Sequence, residues 1–79
     1  MSNIDELSPS GRYVPVTKAN ALLPEGTCRA LLVGTEGTAN LVDLSGTTRT
    51  NVPLQKGYNP ISCRQVNTGG TASDIWALY

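Results

Sequence analysis

Seventy-nine residues confine this chain to a single domain, and a domain that small buries only about 60% of the surface its unfolded chain exposes, so added support is expected from a disulfide, a metal or association between copies. Six basic residues balance six acidic ones for a formal net charge of zero, which leaves no field to gather nucleic acid or an anionic membrane. The absence of histidine removes the commonest proton-transfer side chain, the two cysteines match no zinc module, and no apolar run reaches the ~20 residues of a spanning helix.

Along the chain, "MSNIDELSPSGR" (1–12) sets Ile4 and Leu7 among polar residues with a proline and a glycine, the pattern of an arm without its own core. It has no basic-then-apolar leader, so the chain is expected in a cytosol with both thiols reduced. "YVPVTK" (13–18) alternates as a strand, and Pro15 assigns it to a sheet edge. "NALLPEG" (20–26) is a connector. "TCRALLVG" (27–34) predicts a strong strand, with Cys28, Ala30 and Leu32 on one side and Arg29, Leu31 and Val33 on the other. Both sides are partly apolar, as in a central strand covered twice, once by a neighbouring subunit.

"TANLVDL" (38–44) and "TTRTNV" (47–52) read as strands joined by a tight hairpin through Ser45-Gly46. "PLQKGYNP" (53–60) is the longest predicted loop, "ISCRQVN" (61–67) the next strand, and "DIWALY" (74–79) the last. In that last strand Ile75, Ala77 and Tyr79 face one way while Trp76 and Leu78 face the other. Termini fray unless tied down, so an apolar final strand predicts a docked, interior end.

The sum is an all-β domain of about six strands, a small antiparallel β-sandwich or flattened barrel spanning 13–79 with an extended arm over 1–12. Its expected core is Leu31, Val33, Leu41, Val66, Ile75, Trp76 and Leu78. Cys28 and Cys63 are read as small buried hydrophobes.

Catalysis, cofactors and metals are not expected. Asp5, Glu6, Glu25, Glu36, Asp43 and Asp74 fall in the arm, in turns and near strand ends, as solvated charges do. Each cysteine sits mid-strand with no partner base in view. "GTEGT" (34–38) and "NTGGT" (67–71) precede no helix that would receive a phosphate, so they are turns. A single-strand-binding barrel needs surface aromatics in a basic groove, whereas Arg29 and Arg64 stand apart. Tyr13, Tyr58, Trp76 and Tyr79 are the only aromatics, expected in core or interface packing. A sugar-binding module using Tyr58 with Trp76 is the alternative.

Taken in order, "TCRALLVG", a glycine turn into "TANLVDL", the Gly46 to Thr50 hairpin, "NVP", the Gly57 to Ile61 segment ending in "PI", Gly70 to Ala72, and Ile75 to Tyr79 form a series. This series resembles the spike base proteins of gene transfer agents and related tailed phages, over about two-thirds of the chain. Cys28 and Cys63 depart from that pattern, and residues 1–12 lie outside it. The resemblance implies a virion structural role, as a small β-domain made in the bacterial host cytoplasm and mounted on the capsid surface. The implied partners are the major capsid protein, further copies of the chain in a trimer or pentamer, and a spike fibre protein. Candidate contact residues are Ile4 and Leu7 of the arm, Tyr13, and Gln55, Lys56 and Tyr58 of the long loop.

Overall fold

A computed structural model describes residues 11–79. Runs rich in threonine, valine and leucine, broken at short intervals by glycine and proline, favour pleated backbone over helix, and seven strands form among the described residues. They are β1 (Tyr13–Pro15), β2 (Ala30–Thr35), β3 (Gly37–Val42), β4 (Thr48–Leu54), β5 (Gly57–Asn59), β6 (Gln65–Val66) and β7 (Ser73–Leu78). All pairings are antiparallel. They build a four-stranded sheet in the order β1-β7-β2-β5 and a three-stranded sheet in the order β4-β3-β6. The all-β sandwich expected from the sequence is the fold observed.

Alternation decides which side chains meet between the sheets. On the first sheet Leu31 pairs with Ala77 and Val33 with Ile75, all buried. On the second, Ala39, Leu41 and Leu54 join Val66, and one apolar cluster spans both layers, completed by Leu23, Cys28, Cys63 and Ala72. Val16, Val52, Ile61 and Tyr79 pack against its margin. The strand prolines, Pro15 and Pro53, lie in β1 and β4, both sheet edges. A missing N–H breaks no ladder there.

Local chemistry fixes the irregular points. The β3–β4 register shifts between Ala39 and Leu41. Opposite that shift Asn51 takes a left-handed φ of 55°, and its N–H donates to Asn40 Oδ1 at 3.0 Å. Asparagine tolerates that conformation better than most residues. Asn59 is buried, yet every part of its amide is engaged: Oδ1 accepts from Gln55 N, and Nδ2 donates to the Gln55 and Gly57 carbonyls. This clamp turns the chain from β4 in one sheet to β5 in the other.

Several expectations need correction. The segment 53–60 is mostly strand: β4 runs on to Leu54, and Gly57–Asn59 forms β5, whose partner β2 lies in the other sheet. The strand expected over 61–67 shrinks to Gln65–Val66, preceded by an isolated bridge between Cys28 and Cys63. The hairpin is wider than Ser45-Gly46, since Asp43 N donates to Thr47 O and Gly46 N to Asp43 O. The chain bends at Arg29, which resets the alternation and brings Cys28 into the core with Leu31 and Val33 instead of to the side of Leu32.

Trp76 is not core. It is 37% exposed, because it points away from the second sheet. Leu78 is buried as expected, but outside the inter-sheet cluster.

The final strand is docked. β7 lies between β1 and β2, Tyr79 N donates to Arg12 O, and the Tyr79 hydroxyl donates to Gly26 O. Arg12, assigned by the sequence to the arm, stacks its guanidinium 4.9 Å from the Tyr79 ring centroid and pairs with Glu25. The rest of the expected arm through position 10, Ile4 and Leu7 included, lies outside the described residues.

Candidate interaction face

The outer face of the four-stranded sheet carries the feature that the core does not absorb. Residues opposite each other in an antiparallel ladder share a face. Pro15 pairs with Trp76, Trp76 with Leu32, and Leu32 with Tyr58. One apolar row therefore crosses all four strands, about 14 Å from end to end at the usual strand spacing. Tyr13, two residues before Pro15, extends it, its ring centroid 6.4 Å from that of Trp76 and tilted by 56°.

Each of these side chains keeps a substantial part of its surface open to solvent. Tyr13 is 63% exposed, Tyr58 55%, Leu32 42% and Trp76 37%. The second row, where Tyr13 pairs with Leu78 and Leu78 with Ala30, is buried at its last two positions. Isolated exposed hydrophobes such as Leu22 and Leu44 are ordinary, whereas a contiguous apolar band marks a surface that takes a partner. The band ends toward Asp74, which has a φ of 55° and packs against Gly34 so closely that a Cβ there would lie 2.6 Å from the aspartate Cβ.

Of the expected contact residues, Tyr13 and Tyr58 lie on this face, joined by Trp76, which alternation had sent to the core, and by Leu32, which had not been singled out. Gln55 and Lys56 are exposed in the crossover just before β5, and Gln55 Nε2 donates to Tyr58 O at 2.8 Å, steadying the strand that carries the tyrosine. The signal for Leu32 was its place on an apolar second side of "TCRALLVG". Behind β1, a notch of about 180 Å³ opens between Val14, Val16, Leu23, Pro24, Ala77 and Tyr79.

Among the described carboxylates, Asp43 serves structure. Asp43 Oδ1 accepts from Ser45 N, Ser45 Oγ and Thr47 N, while Oδ2 accepts from Arg49 Nε at 3.1 Å. The Ser45 hydroxyl, then the Thr47 N–H and the other donors, hold its carboxyl well below the usual carboxylate range. Among the described residues no group of three or more cysteine, aspartate or glutamate side chains is placed to hold a metal. Compared with known families, curated proteins and solved structures, the chain matches none. What the face offers is therefore defined by its own chemistry: a flat aromatic and aliphatic strip on a rigid sheet, suited to packing and stacking.

Proposed function

We propose that this chain is a virion structural protein, a spike base or head decoration protein that binds the major capsid protein as a symmetric homo-oligomer. The observation that carries the proposal is the exposed row of Tyr13, Trp76, Leu32 and Tyr58 across the four-stranded sheet. Aromatic residues concentrate at protein interfaces, and a small domain gains from neighbours the burial it lacks alone. Closed rings reuse one surface on each copy. The ordered resemblance to spike base proteins of gene transfer agents and tailed phages points the same way, as does a neutral chain with no pull toward a packaged genome. Its mechanism is geometric: a rigid block that presents one face to copies of itself and its loops to the shell, with a fibre protein as a further partner. Mass under native conditions tests the oligomer, and co-purification with capsids tests the attachment. A lone monomer that never accompanies a particle refutes the proposal.

A second reading, a glycan-binding module on a virion or cell surface, is favoured by one observation: Tyr58 and Trp76 share a face, with Leu32 between them. Stacking of sugar rings on such a strip predicts specific binding on a glycan array that is lost in Tyr58→Ala. Absence of binding, together with capsid association, decides for the structural role.

A further inference from the structure

Cys28 and Cys63 are neighbours in space although 35 positions apart in sequence, their Sγ atoms 3.5 Å from each other and both residues 1% exposed. They oppose each other in an isolated antiparallel bridge, with Cys28 N donating to Cys63 O at 3.2 Å. Directly opposed antiparallel residues have Cα separations of about 4.5–5.5 Å, within the roughly 4.4–6.8 Å that a disulfide spans. The backbone is therefore already placed for a cross-link, and closing it needs the sulfurs to approach by only about 1.5 Å, to the usual bond length near 2.05 Å.

The position has a structural consequence. Cys28 leads into β2 of the four-stranded sheet, and Cys63 leads into β6 of the three-stranded sheet. A bond between them ties the two layers of the sandwich together at one end. We propose that Cys28 and Cys63 form an oxidisable pair that folds as free thiols and closes into an inter-sheet disulfide when the protein meets a small-molecule disulfide oxidant of the glutathione type.

In the reaction the Cys28 thiolate attacks one sulfur of the oxidant RSSR, forming a mixed disulfide and expelling RS⁻. Cys63 then loses its proton and displaces the second RS⁻, so that two protein thiols give one disulfide while RSSR gains two electrons and two protons as two RSH. The thiol contact favours that order: the Cys63 hydrogen bond lowers the Cys28 thiol to about 7, and the same contact, with burial, pushes Cys63 up. Because both sulfurs are buried, exchange proceeds through local opening of the sandwich end. The chemistry stands apart from the virion reading. That reading supplies a setting, since a particle leaving a reducing cytosol passes into surroundings where disulfides persist.

The test uses the purified full-length chain in glutathione buffers of graded oxidised-to-reduced ratio near pH 8, with acid quenching and alkylation of remaining thiols. The expected species at oxidising ratios has lost two hydrogens and takes up no alkylating agent. Tryptic digestion without reduction links peptide 19–29 to peptide 57–64. The oxidised form melts higher by on the order of 10 °C or more. A Cys63→Ala chain, where it folds, stops at one bound glutathione and shows no such rise. The proposal is overturned if both thiols stay free at the most oxidising ratio under native conditions, if only disulfides between chains or stable glutathione adducts form, or if the linked peptides arise solely after denaturation. None of these outcomes depends on capsid binding.

Discussion

Leu32 of β2 and Trp76 of β7 stand directly opposite each other in the ladder at the centre of the four-stranded sheet, and both side chains point away from the core. At such a position a change in association separates cleanly from a change in folding. If the chain assembles as proposed, Leu32→Asp is expected to leave only monomer by native mass while lowering stability by no more than about 1 kcal/mol, the span of strand preferences at exposed sites. Trp76→Ala is expected to weaken self-association about thirty-fold, the equivalent of about 2 kcal/mol for a central aromatic anchor. An unchanged native mass in both variants would remove this face from the interface.

One residue earlier the outcome reverses. Leu31 is fully buried and pairs with Ala77 and Asn59 on the inner side of the same strand. Leu31→Ala leaves a cavity between the sheets and is expected to cost about 2–5 kcal/mol in urea unfolding, a large share of the roughly 5–15 kcal/mol usual for a folded domain. The contrast between positions 31 and 32 is a direct readout of which face is covered.

That contrast also shows what the residues disclosed before the fold was seen. Period-two alternation put Leu31 with Val33 on one side of their strand and Ile75 with Ala77 on one side of theirs, and the structure joins those two sides in the core. Alternation assigns a side chain to a face but not a cover to that face, so Trp76 was sent inward when no second layer lies over it. Pro53, Gly57 and Pro60 made 53–60 look like a loop. Edge positions tolerate proline, and glycine opens β5 at a φ of 99°. The Cys28–Cys63 contact joins positions 35 apart, and no local pattern encodes a pairing across that separation.

The Asp43 turn gives the fold a defined acid dependence. Hydrogen bonds from Ser45, Thr47 and Arg49 depress its folded-state pKa below the unfolded value of about 3.9. A depressed carboxylate contributes stability that is fully present above the unfolded pKa and is lost as pH falls toward the folded one. The melting temperature is therefore expected to fall below about pH 4. Asp43→Asn keeps an oxygen for the Ser45 and Thr47 donors but removes the charge, so its melting curve should be lower at neutral pH and flatter in acid. Parallel pH profiles for the two chains would show that the turn does not couple to folding.

Gly70 offers the sharpest test of how the last loop is seated. Its φ is 79°, and a Cβ there would lie 2.4 Å from Thr38 O and 2.9 Å from Ala39 Cα, both backbone atoms of β3. The same Thr38 carbonyl accepts hydrogen bonds from Thr71 N and Ala72 N, each at 2.9 Å, so the loop has no room to withdraw without losing them. Gly26 is the matched control, with a φ of 95° and nothing within 4 Å of its virtual Cβ. Gly26→Ala bears the left-handed strain alone, about 1–2 kcal/mol. Gly70→Ala adds a backbone collision and the loosening of two hydrogen bonds, each worth about 1 kcal/mol. Its urea midpoint should therefore fall at least twice as far as that of Gly26→Ala. Equal shifts in the two variants would mean that residues 70–72 relax away from β3, and that β7 is held by its ladders with β1 and β2 without help from the loop that precedes it.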